Sequence, residues 1–242
     1  MTSFSVFLLC ISPCVGSFLA LLVDRLPRGE DVIRAPSACR SCRTRLGWVD
    51  LIPMVSFVLA RGRCRRCGAA IPPWVLYAEI LAMGAGVLAI SAGGSPLEIT
   101  LTAVMLWALI ALALADLLWL RLPDALTLTL ALATFGLAAL PVGIGLAPAF
   151  WGAVFGAGSF WAVRVAYKKL RGRDGLGLGD VKLMVGLGAL AGPYELPVLV
   201  LVGAVIGLGL ALWQRKLDAH HPVPFGAALC CAGALIWLFF VA

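Results

Sequence analysis

Thr2–Val23 reads TSFSVFLLCISPCVGSFLALLV, a run of 22 residues without one formal charge. A helix needs about 20 apolar residues to cross the hydrocarbon core of a bilayer, so this run is long enough to span. Ile99–Ala115, ITLTAVMLWALIALALA, is a second run of the same kind. Neither alternates apolar and polar residues with the period of two that a porin-type strand requires, and both read as α-helix. No Lys or Arg precedes the first run and no small-residue cleavage site follows it, so it is expected to be a retained helix and not a signal peptide.

The rest of the chain is built alike. Of 242 residues, 62% are hydrophobic and 13% charged, against about 25% charged in a soluble domain. Soluble folds, disordered tails and single-anchor architectures are excluded. The expected fold is all-α, a polytopic membrane bundle of eight spans at residues 2–23, 74–92, 97–118, 125–141, 148–166, 178–192, 196–213 and 223–241. Breaks fall at Gly93-Gly94-Ser95-Pro96, at Pro141 to Pro148 and at Gly192-Pro193, where Gly and Pro interrupt helices. Three segments follow: residues 1–23 as a first transmembrane helix, 24–73 as a cytoplasmic loop, and 74–242 as a seven-helix membrane core.

The basic residues orient this map, because cytoplasmic loops collect Lys and Arg. Ten of the 19 lie between Arg25 and Arg66; the others are Arg121, five from Arg164 to Arg173, Lys182, Arg215 and Lys216. With an exterior N-terminus every one falls on the cytoplasmic side. The net charge of +7 reads as orientation and attraction to anionic headgroups. No aromatic-interleaved basic stripe points to nucleic acid, and none is expected as a partner.

Two pairs punctuate the polar loop, Cys39-Arg-Ser-Cys42 and Cys64-Arg-Arg-Cys67. Each Cys-x-x-Cys turn aims two sulfurs at one point, and two such turns supply the four thiolates of a closed, structural zinc site. Flanking arginines are expected to lower the thiol pKa values. A cytoplasmic loop is reducing, which weighs against two disulfides. The loop has few large apolar residues, so metal ligation would supply its folding free energy. Cys10, Cys14, Cys230 and Cys231 lie in apolar spans and read as small buried hydrophobes.

Carboxylates at membrane depth are expensive and mark function. Asp116 closes the third span, and Asp180 opens the sixth in Gly175-Leu-Gly177-Leu-Gly179-Asp180. The map puts both on the cytoplasmic side, where they could meet. Two facing carboxyls share a proton, and that pair can run general acid–base hydrolysis of a peptide without a covalent intermediate. The preceding glycines would let a substrate backbone approach closely. The only histidines, His220 and His221, fall in the last loop and support no Ser-His or Cys-His arrangement. A lone aspartate at a helix end is more simply an interfacial charge; the pairing is what points to catalysis.

Taken together, these motifs resemble the type IV prepilin leader peptidases, membrane aspartic proteases of the Gly-x-Gly-Asp class. The likeness rests on Gly16-Ser17-Phe18-Leu19 with Arg25-Leu26-Pro27, the two cysteine pairs with Gly62, Asp116 with Leu122-Pro123-Asp124, Gly177-x-Gly179-Asp180-x-Lys182, and Pro222-x-Pro224-Phe225-Gly226. The resemblance implies that Asp116 and Asp180 are catalytic, with Asp124 the nearest competitor for Asp116, and that Cys39, Cys42, Cys64 and Cys67 hold zinc. It also implies a multi-pass protein of the inner membrane that cuts the basic leader of prepilins or pseudopilins after a glycine, at the cytoplasmic face. Many members then methylate the new N-terminus with S-adenosylmethionine. Gly62, Glu79, Asp124 and Lys182 are the candidates for contacts to substrate or for methyl transfer.

One segment departs from the family pattern: Ile71-Pro-Pro-Trp-Val-Leu-Tyr-Ala-Glu79 keeps the glutamate and lacks the usual Arg-Tyr-Pro. That weighs against methylation, whereas the retained cysteine loop and Gly62 weigh for it. Glu79 also reads as a structural charge pairing with a loop arginine. A basic leader would be repelled by the basic inner face unless Asp24, Glu30, Asp31 or Asp50 received it. Two other functions fit the residues. One is a transporter or ion channel with carboxylates in its path and a zinc-binding gate, although the two related halves common in transporters are missing. The other is an inactive scaffold of a pilus or secretion machine.

Overall fold

The computed structural model describes residues 3–32, 34–141, 143–172, 175–213 and 223–241. The apolar runs are helices: α1 (Ser3–Arg25), α3 (Pro73–Ala92), α4 (Pro96–Trp119), α5 (Asp124–Ala138), α6 (Leu146–Arg171), α7 (Leu178–Trp213) and α8 (Phe225–Ile236), the last prolonged by a π-helical turn, Trp237–Val241. A short helix, α2 (Val55–Leu59), lies in the polar loop. Among the described residues there is no strand beyond two isolated antiparallel bridges, Ala38 with Arg45 and Arg63 with Ala70. Among the described residues, five helices are long and apolar enough to cross a membrane, and α5 and α8 are shorter apolar helices. Arg215, Lys216, His220, His221 and Pro222 lie outside the described residues.

The ends of these helices follow local chemistry. α3 and α4 each begin at a proline, which gives up no hydrogen bond in a first turn. Ser95 and Glu98 close a capping box on α4, with the Ser95 amide donating to Glu98 Oε2 at 2.6 Å. α6 runs to Arg171, five residues beyond its expected end at 166. Lys168, Lys169 and Arg171 suit the negative end of the helix dipole, and Gly172 stops the helix at φ 68°. The sixth and seventh expected spans are the two helical halves of α7, separated at Gly192 (φ 66°, ψ −179°) just before Pro193, where the break was expected. Only glycine adopts that backbone without strain.

The chain forms two compact units, Met1–Gly93 and Gly94–Ala242. Polarity changes at residue 73, whereas packing changes at Gly93. The helix after the polar loop, α3, therefore packs with α1 in the first unit. The contact is made by small residues. Ala78, Ala82, Ala85, Gly86 and Ala89 are buried along one stripe of α3. A methyl on Gly16 would come within 2.6 Å of the Glu79 Cα, so the α1 backbone lies directly on α3. Close backbone approach replaces the hydrophobic driving force that lipid removes.

In the second unit α7 packs against α5, α6 and α8, and α4 against α5 and α8. α6 and α7 meet backbone to backbone, because a Cβ on Gly152 would lie 2.1 Å from the Gly188 carbonyl oxygen and one on Gly188 would lie 2.3 Å from that of Gly152. Neither backbone can yield as a side chain would. Gly152→Ala is expected to destabilise the protein by about 1–3 kcal/mol, read as a lowered thermal midpoint of the purified protein in detergent. An unchanged midpoint would contradict this crossing.

Candidate active site

Asp116 sits in the last turn of α4, 6% exposed. The helix ends there because Leu120 takes a left-handed conformation (φ 52°) and returns its amide to the Asp116 carbonyl at 2.9 Å. The carboxylate crosses to α8: Asp116 Oδ2 accepts the Ala227 amide at 2.8 Å. Ala227 lies in the first turn of α8, whose N–H groups have no partner inside the helix. A Cβ on Gly226 would lie 3.1 Å from the same oxygen. The Pro-Phe-Gly sequence thus has a physical role: it presents a bare helix start to Asp116.

Asp180, half-buried, lies in the first turn of α7, and its Oδ2 accepts the Gly177 amide at 3.3 Å. Leu122 packs against both Gly179, the neighbour of Asp180, and Gly226, which faces the Asp116 carboxyl, so the two aspartates lie in one neighbourhood. Three helices, α4, α7 and α8, therefore converge on one polar point.

The glycines before Asp180 each face a side chain of the protein itself. A Cβ on Gly175 would run into the Tyr167 ring at 2.5 Å, one on Gly177 would lie 3.2 Å from Asp180 Oδ2, and one on Gly179 would lie 3.0 Å from Leu122 Cβ. They make room for the protein's own side chains. Leu122 also reaches within 3.0 Å of a Cβ placed on Gly226. One leucine thus wedges the start of α7 against the start of α8. Neither Leu122 nor the Gly226–Ala227 amides could be found from residue chemistry, since both act through shape or backbone.

The other candidates separate. Asp124 does not join the pair; its Oδ1 accepts from Lys182 Nζ at 2.6 Å, with the side chains 74% and 50% exposed. The two lesser candidates thus engage each other and tie α5 to the first turn of α7. In the first unit, buried Glu79 was expected to pair with a loop arginine. Its carboxylate instead takes the amide of Met54 at 2.6 Å and the Ser17 hydroxyl. Met54 holds the uncommon backbone φ 58°, ψ −49°. Gly62, at φ 65°, closes the turn after α2 and faces the Phe57 ring.

Three of the four carboxylates proposed to receive a basic leader already hold arginines of this chain. Asp24 pairs with Arg28 and Arg40, both at 2.5 Å, Glu30 with Arg28 at 3.4 Å and Asp50 with Arg65 at 3.5 Å. Asp31 Oδ1 caps the Arg34 amide at 2.9 Å. Arg25, from the Arg-Leu-Pro element, clamps the loop by donating to the carbonyls of Asp31, Ala35 and Pro36 at 3.0, 2.7 and 2.9 Å.

The four loop cysteines come together as the spacing requires, with all four Sγ atoms within 4.8 Å of one another and Cys39 Sγ 3.8 Å from Cys67 Sγ. Zinc–thiolate bonds of about 2.3 Å in a tetrahedron put sulfurs about 3.8 Å apart. The two turns are built alike. The Cys39 amide bonds the Thr44 carbonyl and the Cys64 amide that of Ala69, and each turn closes on a left-handed residue, Arg43 (φ 56°) or Gly68 (φ 72°). The Thr44 hydroxyl and amide bring Cys42 down to about 6, and the Cys67 and Arg66 amides lower Cys64. The turns themselves, not arginine charge, activate these thiols. Against the lowering by the Ala69 amide, Cys67 is pushed up to about 11 by desolvation and by the neighbouring Cys42, Cys64 and Cys39. Four crowded sulfurs of which some are acidic suit a dication, so the donor set fits a metal.

Known proteins resemble this chain along most of its length. Residues 10–92 match the family model of the bacterial peptidase A24 N-terminal domain, and residues 103–212 match that of the type IV leader peptidase family. A prepilin leader peptidase/N-methyltransferase of Dichelobacter nodosus is 32% identical over 252 residues, covering 93% of this chain and 88% of the relative. One of Aeromonas hydrophila is 35% identical over 253 residues (92% and 87%). One of Burkholderia pseudomallei strain K96243 is 35% identical over 223 residues (89% and 71%). No solved structure matches. The transporter reading finds no support in these matches. An all-helical chain with apolar spans, matched by both family models and by relatives along most of its length, belongs to the type IV leader peptidase family.

Proposed function

We propose that this protein is a membrane aspartic endopeptidase that removes the basic leader of a prepilin or pseudopilin after a glycine. The observation that carries the reading is the convergence of Asp116 and Asp180, each with one carboxyl oxygen on a backbone amide. In this reading the second oxygen of each carboxyl holds the attacking water molecule. The ionised member of the pair takes a proton from the water, the protonated member donates to the scissile carbonyl, and the amine leaves with a proton returned by the pair. The pair titrates as a unit. Cys39, Cys42, Cys64 and Cys67 would hold a structural zinc that ties the loop, and the metal takes no part in the hydrolysis. Gly62, Glu79, Asp124 and Lys182 shape the backbone around the two motifs.

The placement that goes with this reading is the inner membrane, with eight crossings, an exterior N-terminus and the aspartates at the cytoplasmic face. It is supported by the collection of Lys and Arg into alternate loops. By polarity the chain divides into a first span (1–23), a zinc-clipped loop (24–73) and the membrane core (74–242).

The relatives' names favour a second step, N-methylation of the new N-terminus from S-adenosylmethionine. One experiment reads both steps: the purified protein, a tagged prepilin and S-adenosylmethionine are combined, and the mature product is weighed by mass spectrometry. A single cut after glycine is expected, and added mass of one methyl group marks the second step. Cleavage elsewhere, or an intact substrate, would refute the peptidase reading.

A further inference from the structure

Residues 48–59 carry an apolar surface that no described residue of the first unit covers. In the 3-10 turn Trp48–Leu51, Trp48 and Leu51 are exposed, with Ile52 directly after them; in α2, Val55, Val58 and Leu59 are exposed. Trp48 is 80% exposed, Val58 66% and Leu59 65%. Each set follows the spacing i, i+3, i+4 that lines one face, and the two turns pack on each other. The six exposed apolar side chains thus lie within twelve consecutive residues, flanked in sequence by the exposed residues Arg43, Arg45, Arg61, Arg63 and Arg66.

Glu79 sets the depth of this patch. α3 has 20 residues, about 30 Å of helix, so it needs nearly all of its length to cross a bilayer core of about that thickness. Glu79 lies six residues past Pro73, about 9 Å along the axis. Its carboxylate holds the amide of Met54, the residue between the two apolar turns. The turns are therefore drawn in from the start of α3 to the level where headgroups meet acyl chains, about 5–10 Å deep. There an exposed Trp and a rim of arginines are what an anionic lipid surface stabilises.

We propose that residues 48–59 form an interfacial anchor, seated in the headgroup region of the anionic bilayer that α1 and α3 cross, with Glu79 holding the anchor at its depth through Met54. The loop then lies on the membrane as a shelf beside the zinc turns and does not extend into water. Glu79 is a positioning residue in this arrangement. The proposal stands apart from the peptidase chemistry, which uses no residue of this segment.

The test uses the full-length protein in nanodiscs that contain anionic lipid brominated near the headgroup end of the acyl chain. The emission lost on Trp48→Phe isolates the Trp48 signal from the other tryptophans; that side chain is so exposed that the substitution leaves the packing intact. Trp48 emission is expected to fall roughly twofold against unbrominated lipid and to resist acrylamide, as for a ring in the interface. Glu79→Gln, which keeps an acceptor for the Met54 amide, should retain the quenching, whereas Val58→Asp should lose it with the bound zinc unchanged. Trp48 emission indifferent to bromine and open to acrylamide would overturn the proposal. So would shielding that appears only when a prepilin is added, since the patch would then serve a protein.

Discussion

Asp116→Asn and Asp180→Asn are each expected to abolish prepilin cleavage, with a loss of at least about 10³-fold, within the range that general acid–base catalysis contributes. Either substitution removes the titratable oxygen but keeps an amide oxygen of nearly the same shape. The carboxamide put in place of Asp116 can still accept from the Ala227 amide, and the one put in place of Asp180 from the Gly177 amide, so the starts of α8 and α7 keep their caps. The loss should therefore appear in kcat with the thermal midpoint nearly unchanged. Asp124→Asn is the contrast. Its partner Lys182 is half exposed and Asp124 more so; such a surface pair contributes about 0–1 kcal/mol. Activity is expected to stay within about fivefold of the parent protein, since 1 kcal/mol is a factor of about five. Equal losses at Asp116 and Asp124 would contradict this geometry. Retained cleavage by Asp180→Asn would remove the two-carboxylate mechanism altogether.

Loss of the metal should collapse the loop and little else. The purified protein is expected to carry one zinc per chain by elemental analysis. The double substitution Cys39→Ser, Cys64→Ser takes one thiolate from each turn and should leave the protein free of zinc. Zinc ligation supplies about 10–16 kcal/mol in small zinc-binding peptides, more than the few hydrogen bonds of these turns could replace. Residues 39–67 should then be cut rapidly by trypsin at Arg43, Arg61 and Arg63, while the zinc-loaded parent resists. A disulfide framework would give a different result. Disulfide sulfurs lie about 2.05 Å apart, whereas Cys39 and Cys67 stand at 3.8 Å, so non-reducing mass spectrometry should find the four thiols free. Zinc-free protein whose loop resists trypsin as the parent does would show that the apolar and ionic contacts suffice.

The architecture and the chemistry of this chain were written in local patterns. Uncharged runs such as Thr2–Val23 must be helices because lipid offers a backbone no other partner. The paired Cys-x-x-Cys turns converge because each is a self-contained loop of hydrogen bonds. Asp116 and Asp180 announced themselves by their cost at membrane depth. What stayed hidden depends on contacts between residues far apart in the chain. The Ala227 amide on Asp116 joins positions 111 residues apart, and a backbone donor leaves no mark in side-chain chemistry. Leu122, which fits against Gly179 and Gly226, is one leucine among many. Glu79 was legible as a buried charge, but its partner proved to be a main-chain amide at Met54 and not an arginine. The first unit extends to Gly93 because small side chains let α1 and α3 touch. Hydrophobic length and ligand spacing are properties of a segment, whereas close approach and orphan amides exist only once segments have met.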